Sequence, residues 1–144
     1  MTKLLIVYHS QSGNTEAMAK AISEGAVSAG ANVTMKRADV TTGEDLVGCD
    51  AVAFGTPNYF SAMAGTMKSM FDQAWPAIRG KMDNKPYAAF GSAGGDSPAA
   101  LDGIDKVCGS FKLKKAGDFV LARGKPAPEI LQQCHELGRR LAKL

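Results

Sequence analysis

The chain has 144 residues, of which 45% are hydrophobic, and a formal net charge of +3 at pH 7. This length and apolar content predict one globular domain over residues 1–144. No apolar run approaches the about 18 residues of a membrane span, and the first residues lack a signal-peptide pattern, so we expect a soluble, cytoplasmic protein. The scattered basic residues lack interleaved aromatics and a recognition motif, which argues against a nucleic-acid partner.

The cysteines and histidines give no metal-binding pattern. Cys49, Cys108 and Cys134 lie far apart, without CxxC or Cys/His spacing, so we predict reduced, mostly buried thiols and no metal site. His135 falls in the last predicted helix and is interpreted as structural. For His9 we favour a surface or helix-packing role over an approach to the turn that follows it.

The first apolar run, residues 4–8, leads into a polar turn and then a helical pattern. The order strand, turn, helix directs backbone N–H groups and the positive end of the helix dipole at one point, where an anion fits. A glycine in the turn can adopt positive φ, and the polar side chains can add donors. The alternative is a plain connection that binds no ligand. The turn comprises Ser10, Gln11, Ser12, Gly13, Asn14 and Thr15.

The turn lacks the residues and motifs that bind triphosphates and dinucleotides, which limits the kind of anion it can hold. No lysine or arginine lies between His9 and Thr15, whereas a Walker A triphosphate loop ends in Gly-Lys-Ser/Thr. A GxGxxG dinucleotide turn is also absent around Gly13. A phosphomonoester held by neutral donors fits the turn better.

The next predicted elements alternate between helix and strand. Apolar residues three and four apart over 18–29 predict a helix that ends at Gly30. Residues 32–37 are interpreted as a partly exposed strand and 39–48 as a loop with a short turn. Residues 50–55 form a near-continuous apolar run, which is typical of a central strand buried on both faces.

A proline-initiated loop with two aromatics, residues 56–62, follows this central strand. Helical spacing then runs from residue 64 to 78 and ends near Gly80. In that helix we expect Trp75 to pack against the sheet. Residues 85–91 predict another buried strand.

The last third of the chain repeats the pattern. A glycine-rich loop covers residues 92–96, and Ser97 and Pro98 are interpreted as the N-cap and first residue of a helix. Residues 118–122 predict the last strand, and Pro126 or Pro128 begins a final helix.

Five strands that alternate with helices predict an α/β fold: a doubly wound, three-layer parallel sheet. Ligands of such sheets bind beyond the carboxyl ends of the strands, where the strand order reverses. Three loops meet that description, at residues 10–15, 56–62 and 92–96.

The chain resembles the flavodoxins over nearly its whole length and in the order of its motifs. Their phosphate loop, Thr/Ser-x-Thr/Ser-Gly-x-Thr, is matched by Ser10–Thr15. The stretch 55–60, followed by Met63, Ala64, Gly65 and Met67, is similar to the flavin loop of the flavodoxin-like NAD(P)H:quinone reductases. The resemblance implies a five-stranded sheet of order 2-1-3-4-5 that binds FMN non-covalently.

The resemblance also implies which residues contact FMN. Ser10–Thr15 would hold the phosphate, and we expect Tyr59 or Phe60 to pack against the ring. FMN is favoured over FAD and riboflavin because the turn is one compact anion site without a pyrophosphate signature. The ring would be bordered by Thr56, Pro57, Asn58, Tyr59, Phe60, Ser92, Ala93, Gly94 and Gly95.

Several features depart from the family pattern. The loop at 92–96 has no aromatic residue, where many flavodoxins stack a tyrosine on the flavin. The chain is basic, whereas typical flavodoxins are strongly acidic. It also lacks the long insertions of the quinone reductases.

Two functions remain. The first is an electron carrier that serves a redox partner protein through FMN, and the alternative is an NAD(P)H-dependent FMN reductase of quinones or flavins. In both, FMN does the chemistry, so we assign no catalytic residue. A response-regulator receiver is excluded because its acidic residues are missing, and a low-molecular-weight phosphatase because the nearest cysteine is Cys49.

The number of electrons taken at once bears on this choice. A glycine beside the flavin helps the peptide flip that stabilises the one-electron form in flavodoxins, and 56–64 has none. A flip at Asn58 or Ser61 is the alternative, since asparagine in particular tolerates positive φ. Acidic surroundings oppose the second electron, and only Asp96 is acidic in the three loops. Both features favour two-electron reduction.

Overall fold

Strands and helices alternate along the chain in the computed structural model, which describes residues 1–144. The strands are β1 (Lys3–Tyr8), β2 (Asn32–Arg37), β3 (Ala51–Pro57), β4 (Pro86–Ala93), β5 (Lys114–Lys115) and β6 (Val120–Arg123). The helices are α1 (Asn14–Ser28), α2 (Gly43–Gly48), α3 (Gly65–Ile78), α4 (Ala99–Ser110) and α5 (Pro128–Leu141), with a short 3₁₀ turn at Ala38–Val40. None of these helices combines the length and apolar character needed to cross a membrane.

All strands of the sheet pair in parallel, in the order β2-β1-β3-β4-β5. The predicted fold class and strand order are therefore confirmed. The fifth position is divided, because β5 pairs with the start of β4 and β6 with its end. The expected single strand over 118–122 is thus wrong in extent. Gly117, at φ +138°, interrupts the edge between the two pieces, a conformation open to glycine.

The sheet has a separate core on each face. Leu4 and Ile6 of β1 belong to the core under α1 and α5, and Leu5 and Val7 belong to the core under α2, α3 and α4. This alternation follows from the two-residue period of a strand, because successive side chains point to opposite faces. Since both faces are covered, the central strands β1, β3 and β4 are largely apolar.

Helices α1 and α5 approach closely on one face of the sheet. A Cβ atom placed on Gly25 of α1 would lie 1.9 Å from the His135 carbonyl oxygen of α5. One placed on Gly138 of α5 would lie 2.0 Å from the Ile22 carbonyl oxygen of α1. The two glycines therefore set the distance between these helices.

The expected loop over 39–48 is wrong, since it contains α2. Thr42 and Asp45 form a capping box at its start: the Asp45 amide donates to Thr42 Oγ1 (3.3 Å), and the Thr42 amide donates to Asp45 Oδ2 (2.9 Å). At its end, Lys85 Nζ donates to the carbonyl oxygens of Leu46 (2.9 Å) and Val47 (2.8 Å). A local capping box and a lysine distant in sequence thus stabilise a helix of six residues together.

The starts of the last two helices differ slightly from expectation. Pro98 occupies the N-cap position, and α4 begins at Ala99, one residue later than predicted. Ser97 Oγ accepts a hydrogen bond from the Ala99 amide (3.3 Å). Of the two prolines proposed to begin the final helix, Pro128 does so.

The sequence predicts that Trp75 packs against the sheet, but the structure places its ring elsewhere. Its ring stacks on Phe111, which follows α4, with a centroid distance of 4.9 Å and 16° between the planes. The side chain remains 38% exposed. Helical periodicity predicts which side of α3 is covered, but it does not tell whether the partner of Trp75 is the sheet or a side chain such as Phe111.

All three cysteine side chains are buried, as predicted. Burial raises the pKa of each thiol, that of Cys134 to about 12. The thiols therefore stay protonated at neutral pH, which makes them weak nucleophiles.

Candidate flavin site

Three segments meet at the carboxyl edge of the sheet. They are the turn between β1 and α1, the chain from the end of β3 to α3, and the chain from the end of β4 to α4. The His9 amide donates to the Gly55 carbonyl (3.1 Å), and the Asn58 amide donates to the Ser92 carbonyl (2.8 Å). These backbone contacts hold the three segments together where the strand order reverses.

The turn before α1 has the form of an anion site. Gly13 has a left-handed backbone (φ +93°), and no atom lies within 4 Å of where its Cβ would be. Its amide donates to Ser10 Oγ (3.1 Å). No side chain caps α1, so its positive end faces an open, exposed turn at Gln11 and Ser12. Asn14 is half-buried, and Thr15 is buried.

A positive charge lies beside this turn, although none lies within it. The Arg37 guanidinium, at the end of β2, donates to the Ser10 carbonyl (3.2 Å) and lies 5.6 Å from the centre of the Tyr8 ring. Sequence reasoning missed Arg37 because this residue lies outside the turn, at the end of β2. The available signal was the pairing of β2 with β1, which brings their ends together.

Apart from tyrosine and cysteine, the buried polar side chains of the chain are Thr15, Thr56 and Ser92, and all three lie in these segments. Thr56 Oγ1 donates to the Pro57 carbonyl (2.8 Å) and accepts from the Ala64 amide (2.9 Å). The hydroxyl therefore closes the loop after β3. Thr15 Oγ1 and Ser92 Oγ lie 3.1 Å apart and share a hydrogen bond.

The boundaries of all three predicted loops need correction, since Asn14 and Thr15 are already the first residues of α1. Thr56 and Pro57 are the last residues of β3, and Ser92 and Ala93 are the last residues of β4. Each strand continues because its backbone still pairs with its neighbour: Pro57 lies opposite Ser92 in the ladder, and Ala93 lies opposite Arg123. The loops themselves therefore start at Asn58 and Gly94.

The loop after β3 contains a two-residue hairpin. Tyr59 and Ala62 exchange both backbone hydrogen bonds (2.9 and 3.1 Å), while Phe60 and Ser61 have φ of 54° and 63°. Such turns are normally made by Asn-Gly, since other residues pay roughly 1–2 kcal/mol for left-handed backbone. Positive φ therefore occurs in this loop without a glycine, and Ser61 is one of the two residues named as able to adopt it. Phe60 is fully exposed.

Tyr59 connects the hairpin to the turn before α1. Its hydroxyl donates to Gln11 Oε1 (3.0 Å), and its ring lies nearly perpendicular (80°) to the His9 ring, with centroids 5.8 Å apart. His9 Nδ1 lies 2.8 Å from Thr66 Oγ1, in the first turn of α3. His9 thus packs against a helix, as the favoured interpretation had it, and also lies beside the predicted site.

The electrostatic surroundings of His9 favour its neutral form. Burial lowers the pKa of His9 below its ordinary value of 6.5, the charge of Arg37 lowers it further, and Asp39 opposes both. The N-terminus of α3, next to Thr66, also disfavours a cation.

The segment after β4 is open. Gly94, Gly95 and Asp96 are exposed, and no aromatic residue lies there. Asp96 forms an ion pair with Arg123, at the end of β6. Both side chains are exposed, so the pair adds little stability, but it offsets the single acidic charge of the three loops.

Comparison with known proteins places this edge of the sheet in context. A family model described as Flavodoxin matches residues 6–138. A flavodoxin of Aquifex aeolicus (strain VF5) is 32% identical and covers 99% of this chain and 86% of its own length. A solved flavodoxin from the domain Archaea superposes with a TM-score of 0.87, at 29% identity, over 98% of this chain and 96% of the other.

Some enzymes are also similar to this chain, but over a smaller share of its length. NAD(P)H dehydrogenase (quinone) 3 of Rhizobium meliloti (strain 1021) is 36% identical over 65% of this chain. The chain spans 54% of that protein, about half its length. The match to the family model, the full-length relative and the shared strand order together establish that this chain belongs to the flavodoxin family.

Proposed function

We propose that the protein binds FMN at the carboxyl edge of its sheet and carries electrons through it to a redox partner protein. The observation that carries the proposal is the clustering of buried Thr15, Thr56 and Ser92 in the three segments of that edge. A buried polar group costs free energy unless it is hydrogen-bonded, so a cluster of such groups at one edge of the sheet indicates a binding site.

The residues present fit FMN. Asn58 Oδ1 is buried and has no hydrogen-bond partner in the chain, which leaves an acceptor for a ring N–H. The open space at Gly13 suits a phosphate at the start of α1. Phe60 offers a fully exposed aromatic face beside these groups.

Each part of the site would have a separate task. The turn Ser10–Thr15 and the first amides of α1 would hold the phosphate, while Arg37 adds positive charge. FMN supplies the redox chemistry, since it accepts and releases electrons as protein side chains do not. The residues left to border the ring are Asn58, Tyr59, Phe60, Gly94 and Gly95, with Thr56, Pro57, Ser92 and Ala93 shaping the strand ends beneath.

A flavin titration of Gly13→Val tests this assignment. The substitution forces a β-branched residue into left-handed backbone and fills the space for the phosphate. We expect FMN affinity to fall by about a hundredfold and riboflavin affinity by less than about threefold, because a hydrogen-bonded charge is worth about 1.5–3 kcal/mol. Flavin fluorescence measures both dissociation constants.

Gly80→Val is the matched control. Gly80 also has a positive φ (+76°) and open space, but it follows α3, away from these three segments. That variant should lose stability without losing preference for FMN. Equal losses of FMN and riboflavin in Gly13→Val would contradict the placement of the phosphate.

A second candidate is a reductase that takes a hydride from NAD(P)H and passes it to a quinone-like acceptor. The matches to NAD(P)H dehydrogenases (quinone), at 36–38% identity, favour it. Because this chain spans only 54–57% of those proteins, we rank it below the carrier.

A further inference from the structure

Ser92 comes from the segment assigned to the flavin ring, but its side chain belongs to another part of the site. Its hydroxyl lies 3.1 Å from the hydroxyl of Thr15, 77 residues earlier in the sequence. Both side chains are almost fully buried, at 6% and 1% exposure. This contact is the only hydrogen bond that either hydroxyl makes.

One of the two hydroxyl hydrogens of this pair has no acceptor in the chain. Two hydroxyls carry two O–H hydrogens, and a single O–H···O contact between Thr15 and Ser92 uses one of them. The other has no acceptor in the chain, although buried donors are nearly always paired. A ligand atom that accepts a hydrogen bond would complete the pair.

The position of Thr15 indicates which hydroxyl is free. Thr15 lies in the first turn of α1, whose uncapped positive end favours an anion. If Ser92 donates to Thr15 Oγ1, the Thr15 hydrogen is available to that anion, and every donor is then satisfied. The opposite direction would leave the spare hydrogen on Ser92, away from the helix end.

We propose that Ser92 is a positioning residue for the phosphate: it donates to Thr15 Oγ1 and so directs the Thr15 hydroxyl at the phosphate of FMN. Ser92 thereby contributes to the preference for a phosphorylated flavin, although its place in the sequence groups it with the ring segment. The proposal rests on the proposed function, in which FMN occupies this site.

Dissociation constants for FMN and riboflavin test the proposal. Ser92→Ala should weaken FMN about tenfold and riboflavin less than about twofold, because only a charge-assisted hydrogen bond is disturbed. Thr15→Val should weaken FMN at least as much. The double variant should bind FMN no more weakly than Thr15→Val, since Ser92 acts through Thr15. Thr15→Ser, which keeps the hydroxyl, should resemble the wild type.

Two further variants guard against loss of folding. Ser97→Ala is the matched control, because that hydroxyl lies five residues along and serves only the Ala99 amide; neither affinity should change. Ser92→Cys keeps the volume of the side chain but donates weakly, so its FMN affinity should fall between those of Ser92→Ala and the wild type.

A readout without flavin is available as well. Inorganic phosphate should raise the melting temperature of the flavin-free protein, and Ser92→Ala should reduce that rise. Equal weakening of FMN and riboflavin by Ser92→Ala, or additive losses in the double variant, would overturn the proposal. If the wild type binds neither flavin, the proposed function fails, and a phosphate-induced rise equal in wild type and Ser92→Ala would then overturn the role of Ser92 as well.

Discussion

His9 is the residue at which most segments of the site join. It contacts β3 through its amide, α3 through Nδ1 and the hairpin through its ring, which packs against Tyr59. The neutral form is favoured at this position, because burial and the charge of Arg37 lower the pKa of His9 below 6.5. Protonation of His9 should therefore weaken the contacts between these segments.

We predict that His9 makes the protein less stable in mild acid. Because the pKa is lower in the folded chain, the unfolded chain takes up the proton first as the pH falls. The stabilisation is complete above about pH 6.5 and is lost as the pH falls through the lower, folded-state pKa. Urea unfolding at pH 7.5 and pH 5.5 should show a decrease that His9→Asn reduces.

Asparagine is chosen because its amide can either donate to or accept from Thr66 Oγ1 without titrating. His135→Asn, which removes the other histidine, is the matched control and should keep the wild-type decrease. An unchanged pH dependence in His9→Asn would show that other groups cause it.

At the scale of elements, the contact between α1 and α5 depends on glycine. In an exposed helix, alanine is favoured over glycine by up to about 1 kcal/mol. At Gly25 and Gly138, however, a methyl group would meet backbone at 1.9 and 2.0 Å, and backbone cannot move aside as a side chain can. The two helices would have to separate, and the core between them would loosen.

We therefore predict opposite signs for the same substitution in different helices. Gly138→Ala should lower the free energy of unfolding by about 2–3 kcal/mol through overpacking. Gly109→Ala in α4, where no atom lies within 4 Å, should raise it by about 0.5–1 kcal/mol. Chemical denaturation measures both values. A stabilised Gly138→Ala would mean that the helices can move apart freely.

At the scale of the whole molecule, the relatives separate the two candidate functions. The Aquifex flavodoxin aligns with 99% of this chain, while the quinone dehydrogenases align with about two thirds of it and have about as much length again outside the match. The positive φ of Phe60 and Ser61 also removes one of the two arguments for two-electron reduction. Both findings favour the carrier.

A carrier should not react readily with nicotinamide. We predict that the FMN-loaded protein keeps the visible absorbance of oxidised flavin for many minutes with excess NADH or NADPH in the absence of oxygen. A carrier has no reason to bind a dinucleotide, and no dinucleotide motif is present. Dithionite serves as the control that shows the bound FMN can be reduced. Rapid bleaching by either nucleotide would return the reductase to first place.

Much of this protein follows from local sequence. The apolar runs that became β1, β3 and β4 are continuous because both faces of a parallel sheet are covered, and alternation with helices was enough to predict the sheet. The turn at Ser10–Thr15 was found from residue type and order alone, since a strand, a polar glycine turn and a helix are consecutive in the chain.

What the tertiary structure decided are contacts between residues far apart in sequence. The start of α2 has a local signal in the capping box of Thr42 and Asp45, but its last carbonyls bind Lys85, which lies 38 and 39 residues away. Arg37 beside Ser10, Asp96 paired with Arg123, and the hydroxyl pair of Thr15 and Ser92 depend on which strands are neighbours. Periodicity describes the face that a residue occupies, but only the packed chain decides which partner it meets there.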